Sequence, residues 1–280
     1  MKFKLLISAL FSILLITGCL DTESPFGEPV DETDFLEQNA LEEDVEVTES
    51  GLQYRIIEEG NGERPNSESV IFTDFLSRTV SGETFEDSNG IIYSPINQIA
   101  LPGLAEGLEL MDEGSTYELF LPPELAYGNS PPAGSVLRPG SVVIFEIELD
   151  SYLRDSETFM TENRENNDDI SETESGLQYR IIEEGSDTKP AETDTVNVNY
   201  TGTFTNGFVF DESPEGEPAS FPVDGVIPGF SEALQLMGVG ATYEIFVPYD
   251  LGYGAPNITR PQTIPEEVVL VFELELLEIE

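Results

Sequence analysis

The stretch TESGLQYRIIEEG occupies Thr48–Gly60, and the same thirteen residues occur unchanged at Thr173–Gly185. The two copies lie 125 residues apart, which is far longer than the about 20 to 50 residues of a solenoid or propeller repeat. A unit of that length can bury a core of its own. The sequence therefore predicts one domain present twice in tandem, each copy able to fold alone, and differences between the copies become evidence about function.

Residues 1–18 have the features of a secretory signal peptide, since two lysines precede an apolar run from Leu5 to Ile16. That run is too short to span a membrane as a mature helix. The residues Ile16–Cys19, with sequence ITGC, resemble the lipobox of bacterial lipoproteins, in which the cysteine is acylated and becomes the new N-terminus. We therefore predict lipidation of Cys19, the only cysteine in the chain, rather than its use as a small buried hydrophobic side chain.

The residue after this cysteine indicates where the anchor is placed. It is Leu20, whereas lipoproteins that stay in the inner membrane usually have Asp at that position. The resemblance therefore implies an exported, lipid-anchored protein. In a cell with two membranes, the anchor would lie in the outer membrane, facing the periplasm or the cell surface.

The mature chain is strongly acidic. Removal of residues 1–18 leaves nine basic and 56 acidic side chains, a formal net charge of −47. Such a surface repels nucleic acid and anionic lipid headgroups, which excludes both as partners. The carboxylates are interpreted as a solvated surface suited to a saline habitat or to solubility. A calcium site is the alternative, but no stretch matches the D-x-[DN]-x-[DN]-G loop pattern.

Two polar stretches divide the rest of the chain. Residues 19–45 are rich in Asp, Glu, Pro and Thr, a composition typical of a self-repelling, extended linker. Residues 155–169 contain ENRENNDD and are interpreted as a second linker. The first domain is therefore expected at 46–154 and the second at 170–280.

Alternation of apolar and polar residues predicts strands, most clearly in the second domain at Val196–Tyr200, Tyr243–Val247 and Phe272–Leu276. One short helix per domain is indicated by apolar residues spaced i, i+4 and i+7. These residues are Leu104, Leu108 and Met111 in the first domain and Phe230, Leu234 and Met237 in the second. Several antiparallel strands with one helix favour an α+β fold in which the helix packs on one face of the sheet.

The composition excludes several kinds of chemistry. The chain has no histidine and its one cysteine is expected to be acylated, which removes Ser-His-Asp and Cys-His nucleophiles and the commonest transition-metal sites. Glycine-rich phosphate loops are absent as well. Paired carboxylates could hydrolyse glycosides, but the chain has no tryptophan to stack on a sugar. We therefore expect neither a metal nor a cofactor.

Five motifs of the second domain occur together in a characteristic order and spacing. They are VNVNYTG at Val196–Gly202, NGFVFDES at Asn206–Ser213, FPVDGVIPGFSEALQLM at Phe221–Met237, LGYG at Leu251–Gly254 and VVLVFELELL at Val268–Leu277. In this order they resemble the FKBP-type peptidyl-prolyl cis-trans isomerases. The resemblance implies two tandem FKBP-like domains, each an antiparallel five-stranded half-barrel sheet wrapped on one short helix, with a hydrophobic proline pocket between sheet and helix.

The resemblance also implies which residues form that pocket. The Ile227 N–H and the Tyr253 hydroxyl would bind substrate carbonyls, and Asp211 would have a polar role at the pocket wall. Any one of the aromatic residues alone would be interpreted as core packing, but the complete set in family order favours a pocket. The catalytic residues would be Tyr200, Phe210, Asp211, Ile227 and Tyr253, and the substrate-binding residues Phe221, Val226, Phe230, Ile264 and Phe272.

The chemistry of prolyl isomerisation suits such a pocket. The barrier to rotation about an X–Pro bond is about 18 to 20 kcal/mol, because resonance makes the C–N bond partly double. A thousandfold acceleration needs only about 4 kcal/mol. An apolar aromatic pocket can exclude water from the amide and bind the twisted state better than the planar states. No nucleophile, metal or cofactor is required.

The first domain has a degenerate version of this pocket. Alignment of Gly82 with Gly207 retains Phe85, Tyr127 and Phe145 but changes several other positions. We therefore expect the fold to be kept and the first domain to be a weak isomerase or a binding module. The changed positions are Phe75 for Tyr200, Glu86 for Asp211, Leu104 for Phe230 and Ala100–Leu101 for Val226–Ile227.

The sequence thus predicts a lipid-anchored peptidyl-prolyl isomerase that assists the folding of exported proteins, with most of its activity in the second domain. Its partners would be proline-containing polypeptides and, through Cys19, a membrane. One alternative is a non-catalytic peptide-binding chaperone, in which two tandem pockets gain by effective concentration. A structural surface lipoprotein with the same fold is another. The oligomeric state and the client proteins stay open.

Overall fold

The computed structural model of the protein describes residues 29–280. The predicted signal peptide, the lipobox and Cys19 lie outside the described residues. Domain 1 contains α1 (Thr33–Asn39), β1 (Glu46–Val47), β2 (Gln53–Glu58), β3 (Val70–Thr79), β4 (Thr84–Asp87), β5 (Ile92–Pro95), α2 (Pro102–Leu110), β6 (Ser115–Leu121) and β7 (Val143–Leu153). Domain 2 contains α3 (Ser156–Asn166), β8 (Ser171–Glu172), β9 (Gln178–Glu183), β10 (Thr195–Thr203), β11 (Val209–Glu212), β12 (Ala219–Pro222), α4 (Pro228–Leu236), β13 (Thr242–Val247) and β14 (Leu270–Ile279).

The two sheets have the same antiparallel topology. The strand order is β1-β2-β6-β7-β3-β4 in domain 1 and β8-β9-β13-β14-β10-β11 in domain 2. Strand β5 also pairs with β3, and β12 also pairs with β10. The α+β class is confirmed, and the predicted helix of each domain packs on the sheet, α2 against β6 and α4 against β13.

Each sheet has seven strands where five were expected. One of the extra strands is the two-residue edge strand β1 or β8. The other arises because the outermost strand is interrupted by a turn. In domain 1 the turn contains Asn89 and Gly90, and in domain 2 it contains Gly216, all with positive φ. The count therefore differs through short edge pieces rather than through a different fold.

Helix α4 places the centre of domain 2 against its sheet. Pro228 occupies the first turn, where a missing N–H costs nothing because that group has no partner inside the helix. Gly229 allows a close approach to the sheet, since a Cβ at this position would lie 2.6 Å from Val247 Cγ1. The predicted helical spacing is confirmed by three buried side chains, Phe230, Leu234 and Met237.

Helix α1 lies inside the segment that was expected to be an extended linker, and it packs on domain 1. The buried Asn39 donates from Nδ2 to Gln53 Oε1 at 2.9 Å, and Gln53 Nε2 donates to the Leu36 carbonyl at 3.0 Å. The ring centroids of Phe35 and Phe120 lie 6.1 Å apart. The linker expectation is therefore wrong for this part of residues 19–45. A helix this short is stabilised by its contacts with the sheet and not by its own propensity.

The segment between the domains repeats that arrangement on domain 2. Helix α3 begins after Asp155, whose Oδ1 accepts from the Thr158 N–H at 2.9 Å as an N-cap. Asn163 Nδ2 donates to Gln178 Oε1 at 2.9 Å, and the rings of Phe159 and Phe246 lie 6.1 Å apart. The expected linker at residues 155–169 is therefore largely a helix of domain 2. The structural unit that is repeated begins with a helix upstream of each predicted domain boundary.

The hydrophobic cores of the two domains are not equally independent. The main cluster of domain 1 is formed by domain 1 residues, in agreement with the prediction that each copy buries its own core. The cluster of domain 2 also takes in three buried side chains of domain 1, namely Val70, Phe72 and Leu153. The expectation of a self-contained core is therefore wrong for domain 2, because its apolar surface continues into domain 1.

Candidate active site

Nine of the ten predicted pocket residues belong to one hydrophobic cluster of domain 2, and the tenth, Asp211, is hydrogen-bonded to Tyr200 of that cluster. Strands β10 and β14 form one wall, β11 and β12 form the other, and α4 forms the base. The connection between β13 and β14 closes the site. By element, the residues are Tyr200 on β10, Phe210 and Asp211 on β11, Phe221 on β12, Val226 and Ile227 before α4, Phe230 in α4, Tyr253 and Ile264 in the β13–β14 connection, and Phe272 on β14.

Five aromatic rings form the apolar surface of the pocket. Phe230 is at the centre, with ring centroids 5.2 Å from Phe272, 6.1 Å from Tyr200 and 6.3 Å from Phe221, all nearly perpendicular. Phe210 meets Phe272 edge to face at 5.7 Å. Edge-to-face pairs of this kind are favourable beyond their buried area, so each ring holds its neighbour in place. Phe230 and Phe272 are buried, whereas the other three rings are half-buried and open to a ligand.

Two tyrosines and one carboxylate supply the polar groups of the pocket. The Tyr200 hydroxyl donates to Asp211 Oδ2 at 2.8 Å. Burial, and after it the hydrogen bond to Asp211, raises the pKa of Tyr200 above its usual value. Burial likewise raises the pKa of Tyr253, with a smaller contribution from the charge of Asp211. Both hydroxyls therefore keep their protons at neutral pH, and among the described residues that of Tyr253 has no hydrogen-bond partner.

The backbone before α4 contributes a further donor. Ile227 is the N-cap residue, and its carbonyl accepts from the N–H groups of Phe230 and Ser231, both at 3.0 Å. The Ile227 N–H itself donates to no acceptor within residues 29–280. Unpaired N–H groups at a helix start are ready hydrogen-bond donors for a ligand. The site therefore combines an apolar aromatic surface with two free donors, the Ile227 N–H and the Tyr253 hydroxyl.

Gly202 also lies at the pocket. It is the last residue of the VNVNYTG motif, and the sequence pattern predicted no role for it. A Cβ here would lie 2.9 Å from both Phe210 Cζ and Phe272 Cε1. Only glycine lets these two rings approach across β10. Domain 1 has Ser77 at the equivalent position, buried and bonded from Oγ to the Glu86 carbonyl at 3.1 Å. The difference between the copies at this position was the available signal.

The equivalent region of domain 1 has a less complete aromatic surface. Phe75 and Phe145 meet edge to face at 5.7 Å, and this is the one aromatic pair that the described residues form at this site. Since Phe75 has no hydroxyl, the bond that Tyr200 makes with Asp211 has no equivalent. Burial raises the pKa of Tyr127, with a smaller contribution from the charge of Glu86. Domain 1 thus keeps a tyrosine and a carboxylate at this site, but it has Leu104 in place of the aromatic residue at the base.

A half-barrel sheet, a helix behind it and an aromatic pocket with two free donors define a prolyl-isomerase type of domain. A family model described as FKBP-type peptidyl-prolyl cis-trans isomerase matches residues 61–150 and 186–277. A model of the domain amino-terminal to such isomerases matches residues 29–56, which include α1. The protein therefore belongs to the FKBP-type peptidyl-prolyl cis-trans isomerase family. The expected family and the tandem arrangement are confirmed.

Curated relatives match about one domain of the chain. The 22 kDa FKBP-type peptidyl-prolyl cis-trans isomerase of Escherichia coli is 52% identical over 111 residues, which are 39% of this chain and 53% of that protein. Outer membrane protein MIP of Legionella longbeachae is 49% identical over 106 residues, 38% of this chain and 45% of that protein. The chain thus spans about half the length of the curated relatives it matches.

Solved structures are also similar to the chain. The crystal structure of FkpA from Escherichia coli has 28% identity and a TM-score of 0.40, covering 43% of this chain and 56% of that one. The structure of the three FKBP domains of wheat FKBP73 has 23% identity and a TM-score of 0.38, covering 83% of this chain and 96% of that one.

None of the helices within residues 29–280 is long and apolar enough to cross a membrane. No group of three or more His, Cys, Asp or Glu side chains in the same range could hold a metal ion.

Proposed function

We propose that the protein catalyses the cis–trans isomerisation of X–Pro bonds in polypeptides and that domain 2 carries most of this activity. The observation that supports it is the pocket of five interlocked rings with two free hydrogen-bond donors. Such a site can bind a proline residue and its flanking amides but offers no group for covalent chemistry. The enzyme class expected from the sequence is that of the family to which the chain belongs.

The proposed mechanism follows from this geometry. A proline ring binds against Phe230, and the surrounding rings exclude water from the amide to be rotated. The Ile227 N–H and the Tyr253 hydroxyl hold substrate carbonyls while the X–Pro bond turns. Asp211 acts by fixing Tyr200 through the 2.8 Å hydrogen bond. Because the twisted amide has lost its resonance, a pocket that fits it better than the planar forms lowers the barrier, and about 4 kcal/mol suffices for a thousandfold rate.

A non-catalytic binding role is favoured for domain 1. Its site keeps Phe85, Tyr127 and Phe145 and has the ring of Phe75 in place of Tyr200. It has Leu104 at the base and Ser94 where β12 of domain 2 presents Phe221. These apolar residues can still bind a proline-containing segment. Two linked sites on one client raise the effective concentration of the second. Domain 1 would then hold the client while domain 2 isomerises its prolyl bonds.

The decisive experiment separates catalysis from binding alone. The full-length protein at substoichiometric concentration is added to a short X–Pro peptide, and cis–trans exchange is followed by NMR exchange spectroscopy. The proposal expects exchange to become much faster than the uncatalysed process, which takes tens of seconds. Shifted peptide resonances without faster exchange would instead identify a binding protein.

Export and membrane attachment are part of the same proposal. The signal-peptide pattern and the ITGC sequence that ends at Cys19 support a lipid anchor, and one relative is named an outer membrane protein. Exported proline-containing polypeptides would then be the clients. Cys19→Ser should release the protein from membranes and abolish labelling by a fatty-acid probe. Retention of both membrane fractionation and label in this variant would contradict the anchor.

A further inference from the structure

The two domains contact each other through an interdomain aromatic cluster formed by Phe72, Tyr93, Phe204 and Phe208. The ring of Phe72 lies 6.0 Å from that of Phe204 and 5.2 Å from that of Phe208. The ring of Tyr93 lies 5.8 Å from Phe204 and 5.7 Å from Phe208. Phe72 and Phe204 have exposed fractions of 0% and 1%, Tyr93 is half-buried, and Phe208 keeps 36% of its surface exposed. The contact is therefore hydrophobic, packed around Phe72 and Phe204 and open to solvent at Phe208.

The other copy has polar residues at every position of this cluster. Strand register sets the first two equivalences, since β3 pairs Phe72 with Tyr93 of β5 just as β10 pairs Asn197 with Ser220 of β12. The hairpin turns set the other two. The Phe204 N–H donates to the Phe208 carbonyl, and at the same place in domain 1 the Thr79 N–H donates to the Glu83 carbonyl. The cluster therefore corresponds to Asn197, Ser220, Thr79 and Glu83 in the other copy.

The residues around the cluster show the same difference. Val70 pairs with Leu153 in domain 1, and both are buried against domain 2. In domain 2 the equivalent backbone bond joins Thr195 and Glu280. The same fold thus forms with polar side chains at these positions. The apolar residues are not needed for the fold of either domain and occur only on the two faces that meet.

The cluster is in direct contact with the pocket of domain 2. The ring of Phe204 lies 5.0 Å from that of the pocket residue Phe210. On the other side, the Tyr93 hydroxyl donates to the Thr263 carbonyl, next to the buried pocket residue Ile264. Domain 1 therefore contacts the pocket wall through one ring and the closing loop through one hydrogen bond.

We propose that domain 1 is a positioning partner of the domain 2 pocket. Phe72 and Tyr93 hold Phe210 in place through Phe204, and the Tyr93 hydroxyl holds the loop that presents Ile264. This role rests on the proposed isomerase function of domain 2. The complete catalytic unit would then consist of both domains.

The physical reason is pre-organisation. A pocket that distinguishes a twisted amide from a planar one depends on how accurately its walls are placed, and small displacements cost activity. The connection between β13 and β14 is long, so it is ordered only where it is tied down. Arg260 ties this loop to itself by donating to the Ile264 carbonyl and pairing with Glu266 at 2.8 Å. The Tyr93 bond ties it to the other domain.

The least invasive test is Tyr93→Phe in the full-length chain, which removes one hydroxyl and keeps the ring. Loss of one hydrogen bond should lower kcat/KM for an X–Pro peptide about threefold, mainly through a higher KM. Hydrogen exchange of the backbone amides at residues 258–265 should become faster while the melting temperature stays close to that of the parent. If Tyr93 had only a structural role, KM and the amide exchange of residues 258–265 would not change while the melting temperature stays the same.

The stronger test is the double change Phe204→Thr with Phe208→Glu, which installs the residues that domain 1 has at these positions. We expect kcat/KM to fall about tenfold or more, with faster amide exchange in β11. The matched control is Asn197→Ala, on the face of domain 2 equivalent to the contact face of domain 1, and it should behave as the parent.

The outcomes separate this role from the isomerase function itself. Parental KM, kcat and amide exchange in Tyr93→Phe and in the double variant would overturn the positioning role. If the double variant fails to fold, Tyr93→Phe decides alone. Absence of any turnover in the parent would contradict the isomerase function, while the amide-exchange comparison, which needs no turnover, would still decide the positioning role.

Discussion

Domain 1 and domain 2 have the same strands in the same register, but they differ at the residues that face a ligand or the other domain. The stacked pair Tyr54–Tyr117 has its equivalent in Tyr179–Tyr243, each pair with ring centroids 5.6 Å apart and planes at 6°. At the pocket, by contrast, domain 1 has Leu104 where domain 2 has Phe230. Building the fold needs apolar volume at given positions, whereas the proposed activity needs particular rings and hydroxyls.

The motif TESGLQYRIIEEG, which is identical in the two domains, shows which residues the fold requires. Its leucine is fully buried in both copies, as Leu52 and Leu177. Its glutamine binds the preceding helix in both, through Gln53 and Gln178. The copies therefore agree at residues that hold the unit together. The pocket and the interdomain face are the regions where one copy could change without loss of the fold.

The largest expected effect is from converting the domain 2 pocket into that of domain 1. The triple change Tyr200→Phe, Asp211→Glu and Phe230→Leu removes the hydroxyl, lengthens the carboxylate and replaces the central ring. In the full-length chain kcat/KM for an X–Pro peptide should fall about a hundredfold, or roughly 2.7 kcal/mol of transition-state stabilisation. The control is the reverse set in domain 1, namely Phe75→Tyr, Glu86→Asp and Leu104→Phe.

That control set should leave the turnover of the parent intact or raise it. A loss of less than about threefold in the triple variant, with folding verified by circular dichroism, would contradict the view that the pocket residues separate the two copies.

A smaller effect is expected from Asp211 alone. Asp211→Leu leaves the Tyr200 hydroxyl without its acceptor and should cut kcat/KM about tenfold, roughly 1.4 kcal/mol. Asp211→Asn keeps an acceptor oxygen and should lose much less activity. Glu86→Leu is the matched change in domain 1 and should have little effect. If Leu at position 211 is as active as Asn, the hydrogen bond to Tyr200 has no role in positioning the ring.

Gly202→Ser gives domain 2 the residue that domain 1 has. Its Cβ would lie 2.9 Å from both Phe210 and Phe272, so the rings must separate, and such overpacking costs about 1 to 3 kcal/mol. We expect a lower melting temperature and a several-fold lower kcat/KM. Ser77→Gly in domain 1 is the matched reverse change and should affect stability only. Unchanged activity in Gly202→Ser would show that the contact between these rings is not needed.

The smallest effect concerns the surface that both domains share. With a formal net charge of −45 for the full sequence, the compact state repels itself. Salt shortens the screening length from about 10 Å at 0.1 M to about 3 Å at 1 M, so the melting temperature should rise as sodium chloride increases. A variant with surface Asp and Glu replaced by Asn and Gln should respond much less. A melting temperature of the parent that does not change with salt would leave the saline-habitat interpretation without support.

Much of the fold could be predicted from the sequence, and the ten residues predicted to form a pocket lie together in domain 2, although their role stays a prediction. Alternation located β10, β13 and β14, and apolar spacing located α2 and α4, because these elements each bury one regular face. Helices α1 and α3 were missed since they carry few apolar residues in strongly charged stretches. They are ordered by partners distant in sequence, such as Gln53 for Asn39 and Gln178 for Asn163.

The interdomain contact was missed for a different reason. Phe72 and Phe204 lie in stretches whose pattern fits any half-buried strand, and only a position-by-position comparison of the copies shows that each is polar in the other domain. The role of Gly202 depends on a distance across β10 between two rings that are far apart in sequence. Patterns along the chain report which face is buried, but not what lies against it.

The most direct test of the central claim removes one equivalent phenylalanine at a time from the full-length protein. Phe210→Ala opens the pocket wall of domain 2, and Phe85→Ala makes the same change at the equivalent position of domain 1. With cis–trans exchange of an X–Pro peptide as the readout, Phe210→Ala should retain less than about a tenth of the parental kcat/KM, and Phe85→Ala should stay close to the parent. Equal losses in the two variants, or full activity of a folded Phe210→Ala protein, would contradict the assignment of the activity to domain 2.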